Sequence, residues 1–207
     1  MRAAARIDEA VSRKAQQSAR TREALLSTCL RLFAERGFAS TSIDEIARAA
    51  GVTKGAMYWH FASKDDLFQA ILDRIRSRWQ EVVLQPVTAR QSPVERLSQL
   101  FDSYAELFRE SPEICLFLQQ VLLDQHNKLF SAQVAKVLVR TARFIAGIID
   151  EGKEAGVFKA EIDSLITAHM ILGAVEGASQ QALTARAITL PRLLGEAKLM
   201  TLGYLKR

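Results

Sequence analysis

The chain reads as all-α in two parts: an N-terminal three-helix domain built on a helix-turn-helix, and a longer C-terminal helical domain. Three observations predict this. Strand signals are nearly absent, with no Asn-Gly or Asp-Gly hairpin turn and no sustained apolar/polar alternation. Only four prolines and ten glycines interrupt 207 residues, which leaves long stretches for helices. Residues 41–61, TSIDEIARAAGVTKGAMYWHF, have the grammar of two short helices joined by a tight turn.

The elements follow in order. Helix one is expected from about Arg20 to Arg36, with Leu25, Leu26, Cys29, Leu32 and Phe33 on its apolar face and Gly37 past its end. Helix two opens on Thr41 or Ser42, and Ser42 with Glu45 makes a Ser-x-x-Glu capping box. Ile43, Ile46, Ala47 and Ala50 recur on one face, and Gly51 supplies the left-handed turn. Thr53 caps helix three, which Met57 and Phe61 dock on the domain. Helix four starts near Ser63, passes Leu67, Ile71, Ile75, Trp79 and Val82 or Val83, and is expected to stop at Pro86. Pro93 and Ser111-Pro112 open the next two helices, and a polar break spans Asp124 to Lys128. A long helix from about Ser131 to Ala155 ends at Gly156, and Ile162 to Ala185 and Pro191 to Leu205 complete the list. The domain boundaries expected are 1–19 for an N-terminal arm, 20–64 for the helix-turn-helix domain and 65–207 for the rest.

The outer side of helix three points to DNA. Lys54, Gly55, Tyr58 and Trp59 face away from Met57 and Phe61, with His60 at the far end. A major groove admits one helix whose N-terminal side chains reach base edges while flanking groups hold phosphates. Gly55 suits that role, because a missing side chain lets the backbone approach the duplex. Charge agrees. Residues 1–64 hold 11 Lys and Arg against 6 Asp and Glu, whereas residues 65–207 hold 17 of each. The positive excess of the whole chain therefore sits beside the helix-turn-helix, where a polyanion is favoured.

Taken together, Phe33 to Phe38, Thr41 to Val52, Gly55 to Phe61 and Lys64 to Leu67 resemble the signature of the TetR family of bacterial transcriptional regulators. The resemblance is specific over about residues 20–68; beyond it, only helical pattern and length are similar. It implies that Thr53, Lys54, Gly55, Tyr58 and Trp59 meet bases or nearby backbone, and that Thr41, Ser42, His60 and Lys64 hold phosphates. Asp44 departs from a phosphate role, since a carboxylate repels the backbone, and is assigned to its helix's N-terminal dipole. It further implies a homodimer on a palindromic operator of double-stranded DNA, a repressor released by a small hydrophobic or amphipathic ligand, and a four-helix interface from the last two helices.

Two groups of residues suit those implied jobs. Gly173, Ala174, Gly177 and Ala178 leave a smooth strip for a second helix, with Gln181 beyond it and Leu190, Leu193, Leu194 and Ala197 on the last helix. Phe101, Tyr104, Phe108, Phe117, Leu118, Leu122, Phe130 and Phe144 either line a pocket or form core, with Gln119, Gln120, His126, His169 and Glu176 as polar contacts. Helix four, leading from Lys64 toward the sensing helices, is the lever between them.

Other classes are disfavoured. No nucleophile, base or metal set converges, so no catalytic residues, metal or cofactor are expected, and the rival kept open is a DNA-binding architectural or cell-division factor without an inducer. Regulatory sign stays open between repressor and activator. Cys29 and Cys115 read as buried free thiols, and the three histidines lack metal-ligand spacing. No run of some 18 apolar residues suggests a membrane span. Residues 1–19 carry no hydrophobic signal core, so a cytoplasmic location is expected, with this arm a solvated tail or a second set of DNA contacts through Arg2, Arg6, Arg13 and Lys14.

Overall fold

The computed structural model describes residues 2–123, 128–185 and 188–206. Ten α-helices follow one another: α1 Arg2–Arg36, α2 Ile43–Ala49, α3 Lys54–His60, α4 Lys64–Trp79, α5 Gln85–Thr88, α6 Pro93–Glu110, α7 Glu113–Leu123, α8 Lys128–Glu154, α9 Ser164–Thr184 and α10 Leu190–Leu205. Among the described residues the only β pairing is one isolated bridge, Phe158 to Lys206, and no helix is long and apolar enough to cross a membrane. The backbone falls into two compact units, residues 1–74 and 75–207. The first thus extends ten residues beyond the end expected for the helix-turn-helix domain, because Leu67, Phe68 and Ile71 of α4 are buried with it.

An aromatic cluster holds the first unit. Phe33 from α1 lies 5.2 Å from Phe38, and Phe68 from α4 meets Phe38 edge-on at 5.6 Å. Such pairs add about 0.5–1.5 kcal/mol beyond their buried area. Leu25, Leu26, Cys29 and Leu30 extend the same buried stripe along α1. Burial pushes the Cys29 thiol well above its ordinary range, which leaves it unreactive. Residues 2–19 are helical and continue α1 rather than standing apart.

In the second unit α8 and α9 pack together, as do α10 with α6 and α9, and α7 with α8. Pro86 does not end the fourth helical rod. The chain passes through a π-helical stretch, Gln80–Leu84, and then into α5 with Pro86 in its first turn. A proline ring in a regular helix clashes with the carbonyl four residues back and removes one bond. The wider turn, in which Gln85 N–H reaches Gln80 O, relieves that clash by inserting a residue into the ladder.

A tight corner closes α8. Gly156 takes φ 69°, and the Val157 and Phe158 amides both donate to the Gly152 carbonyl at 3.0 Å. Phe158 is fully buried with its ring against Gly152, where an added Cβ would fall 2.0 Å from a ring carbon. Gly156 ends the helix as its position after Ala155 implies, but Gly152 is the glycine with no room, a closeness that sequence spacing does not display. Replacing Gly152→Ala should destabilise the protein by about 1–3 kcal/mol, the usual scale of overpacking, as read by urea unfolding. An unchanged unfolding midpoint would show that Phe158 is free to move aside.

Candidate functional site

The turn between α2 and α3 is fixed by caps. Ser42 Oγ accepts the Glu45 N–H at 3.2 Å, and Glu45 Oε2 accepts the Ser42 N–H at 2.8 Å, closing the capping box. Those bonds from Ser42 hold the Glu45 carboxyl below its usual range. Gly51 takes φ 69° and Val52 N–H reaches back to Ala47 O at 3.0 Å. Thr53 Oγ1 then accepts the Ala56 N–H at 3.1 Å, so α3 starts in a defined direction. Met57 and Phe61 are buried beneath it.

With that face turned inward, Lys54, Gly55, Tyr58 and Trp59 stand outside. Trp59 is 72% exposed, an unusual state for an indole on a short helix. A Cβ on Gly55 would meet only Thr53 Oγ1, at 3.9 Å, so nothing within the chain requires glycine there. Ser42 and Thr53 are exposed, while their side-chain oxygens serve as caps. His60 is half-buried, and burial followed by the nearby Arg22 charge lowers its pKa. Both effects disfavour the charged imidazolium in the free protein, and the ring keeps a nitrogen able to hydrogen-bond. Lys64 rests its ammonium 4.1 Å from the centre of the Phe38 ring.

One assignment fails. Thr41 is 1% exposed, and its hydroxyl donates to Gly37 O at 2.9 Å, so it braces the loop after α1 and is not available to a phosphate. One contact was missed: the Lys54 ammonium is bound by Asp44, at 2.8 Å to Oδ1 and 3.2 Å to Oδ2. The two lie ten residues apart on different helices, a pairing that helical periodicity alone does not display.

In the second unit, the side chains named for ligand binding separate into three groups. Phe101 and Phe117 are fully packed core. Gln120 and His169 are exposed, so neither points into the helical interior as expected; His169 instead stands beside Met170 on the outer face of α9. His126 lies outside the described residues. The remaining four, Tyr104, Phe108, Phe144 and Glu176, line up with a residue the sequence reading placed only on the apolar face of helix four, Trp79.

The Trp79 indole N–H donates to Tyr104 Oη at 3.2 Å, and its ring meets Phe144 edge-on at 6.1 Å. Tyr104 stacks on Phe108 at 5.9 Å. Burial pushes the Tyr104 phenol up to about 12, partly offset by the Trp79 bond and reinforced by the Glu176 charge. The hydroxyl accepts from Trp79, and among the described residues nothing accepts its own proton. Glu176 lies four residues from Leu172 and three from Ser179, both buried, so it sits on the inward stripe of α9. Desolvation raises its carboxyl, and among the described residues no cation or donor pairs with it. Tyr104 and Phe108 are buried while Trp79, Phe144 and Glu176 are half-buried, so the cluster joins apolar surface to a phenol and a carboxyl, the composition usual in ligand sites.

The outer faces of α9 and α10 are apolar too. Ile166, Met170, Gly173, Ala174 and Gly177 share one strip of α9, on which Met170 is 68% exposed. A Cβ at Gly173 or Gly177 would meet nothing within 4 Å, so no contact inside the chain calls for these glycines. Gln181 is exposed at the end of that strip. On α10, Leu193 and Ala197 are half-buried, while Met200 is 74% exposed and Tyr204 is exposed beside it. Leu194 is 1% exposed and packs inside its own subunit, which removes it from any outer face. Ile166, Met170, Met200 and Tyr204 are the larger groups that the search for small residues passed over.

Comparison with known proteins agrees with this layout. Residues 25–71 match the family described as bacterial regulatory proteins, tetR family, and residues 71–185 match that described as YsiA-like protein, C-terminal region. The transcriptional regulator AcrR of Shigella flexneri is 49% identical over 76 residues, which cover 36% of this chain and 35% of that one. The transcriptional repressor BepR of Brucella suis biovar 1 is 32% identical over 172 residues, covering 78% of this chain and 79% of BepR. Among solved structures, AibR in complex with isovaleryl coenzyme A and operator DNA superposes with a TM-score of 0.74 at 24% identity, covering 87% of this chain and 97% of AibR. A capped helix-turn-helix joined to an all-helical second unit, matched over residues 25–185, places this chain in the TetR family of bacterial regulatory proteins, as a DNA-binding transcriptional regulator.

Proposed function

We propose that the protein is a dimeric repressor that binds a palindromic operator and is released from it by a small hydrophobic or amphipathic ligand. The observation that carries this is α3: a helix seated by Met57 and Phe61 whose outer side holds Lys54, Gly55, Tyr58 and Trp59, its aromatic rings meeting, among the described residues, only the adjacent His60. BepR is named a repressor, and the AibR complex holds both an acyl coenzyme A and operator DNA, which supports the pairing of the two activities. Ser42, His60 and Lys64 are the proposed backbone contacts around the groove. The free, buried thiols suit the cytoplasm, where the operator is.

Trp79, Tyr104, Phe108, Phe144 and Glu176 are the proposed effector contacts, with the Tyr104 hydroxyl and Glu176 orienting the polar end. The outer strip of α9 and the Met200 side of α10 form the proposed two-fold interface. α4 begins at Lys64 beside the DNA-binding helices and ends at Trp79, one bond from Tyr104. A ligand that favours one packing of Trp79 therefore biases the position of α4, and linkage requires that DNA weaken ligand binding by the same factor.

Selection of bound duplexes from a random pool by purified protein tests the reading; a palindromic site supports it, and sequence-blind retention alone would replace it with an architectural role. On the selected site Gly55→Ala should fold normally yet lose affinity by about tenfold or more, since only the approaching duplex lacks room for the methyl group. Equal affinity would remove Gly55 from the interface. Gly177→Glu should sediment as a monomer, and a dimer of unaltered stability would move the interface off α9. Trp59→Phe leaves Trp79 as the sole indole, so any compound that releases the operator should change its emission. A releasing compound that leaves Trp79 emission untouched would place the effector elsewhere.

A further inference from the structure

The Asp44–Lys54 pair lies on the face that meets DNA, and it is out of place there. Asp44 is in the first turn of α2 and Lys54 is the first residue of α3. Both side chains are more than half exposed, so their mutual attraction alone contributes little to folding. Both Asp44 oxygens nonetheless lie within 3.2 Å of the ammonium, which raises the Lys54 pKa and favours one placement of a long, flexible side chain. The N-terminal residues of a recognition helix are those that reach base edges. An acid at this point repels every phosphate that approaches, and it offsets the charge of the only lysine on α3.

We infer that Asp44 is a specificity-determining residue: it holds Lys54 back from indiscriminate phosphate contact and presents it in one position to the operator. This rests on the proposed operator-binding role, but its first arm does not need an operator. On arbitrary DNA, Lys54 must leave Asp44 to neutralise a phosphate, so the carboxylate competes with the duplex. On the right sequence the ammonium is already placed, and the rotamer entropy of the side chain has been lost before binding. Removing the carboxylate should therefore strengthen sequence-blind binding while leaving operator binding unchanged or weaker.

The test uses full-length dimer and Asp44→Asn, alone and with Lys54→Gln. Binding to a random-sequence duplex is measured across a salt series, and then to the selected operator. Each phosphate neutralised adds about 0.9 to the salt slope, so two freed lysines per dimer should steepen it by up to about two on random DNA. The ratio of operator to random affinity should fall severalfold. In the Lys54→Gln background, Asp44→Asn should change neither slope nor ratio. If Asp44→Asn acts equally with and without Lys54, the carboxylate serves only the dipole of α2 or the general field, and the inference fails. It also fails if the slope on random DNA is unchanged while thermal unfolding shows an intact fold. Loss of stability common to both backgrounds would count against it in the same way. Absence of any selected operator, with the slope still steepened, would instead sink the operator reading and leave the restraint on Lys54 standing.

Discussion

A helix of seven residues has no stability of its own, because nucleation fixes several dihedrals for each of its first hydrogen bonds. α3 exists only because Met57 and Phe61 are buried beneath it and Thr53 closes its first turn. That burial constrains everything on the opposite side. With two side chains on one face committed to the core, the residues left outside are decided by helical geometry. The Phe33, Phe38 and Phe68 cluster in turn ties the loop after α1 to α4, which completes the frame around the motif. The reading face is therefore a consequence of packing: the side chains proposed to face the groove are those the core does not need.

The same logic explains what could be read in advance. Capping residues act through their own backbone neighbourhood, so Ser42, Glu45, Thr53 and Gly51 were legible from spacing of three residues or fewer. Burial of Met57 and Phe61 followed from their separation by one turn. Thr41 was misjudged because its hydroxyl is used by Gly37 O, four residues earlier and outside the helix it precedes. Asp44 with Lys54, and Gly152 with Phe158, depend on how a turn brings two segments together, which periodicity does not encode. Pro86 misled for a different reason. Proline forbids a regular helix at that position, but a π-helical turn just before it restores continuity.

Sites in the second unit were less legible than the motif. Aromatic residues at helical spacing form core or cavity wall with equal ease, and only polar groups distinguish the two. Phe101 and Phe117 resolve as core; Tyr104 is also buried but carries a hydroxyl that accepts from Trp79 and whose own proton no acceptor among the described residues takes. A buried polar atom that leaves hydrogen-bonding capacity unused is costly unless something else fills it. Glu176 is a partly desolvated carboxyl that no cation among the described residues pairs with. Tyr104 keeps its Trp79 partner and Glu176 is half-exposed, so both are tolerated where they stand, and they are the polar groups within this apolar packing that the proposed ligand would use.

The apolar outer face of α9 makes a parallel argument at the level of the whole helix. Ile171, Leu172 and Val175 already satisfy its packing inside the subunit, yet Ile166 and Met170 are as apolar on the far side. A helix hydrophobic all round is normally buried all round. Gly173 and Gly177 sharpen the point, since helix-interior glycine costs about 1 kcal/mol relative to alanine and neither has a neighbour in its own chain to justify it. A second helix lying close along that strip accounts for both the apolar side chains and the glycines. The proposed two-fold dimer would supply such a helix in the copy of α9, and it is also the arrangement that gives a seven-residue reader a second half-site.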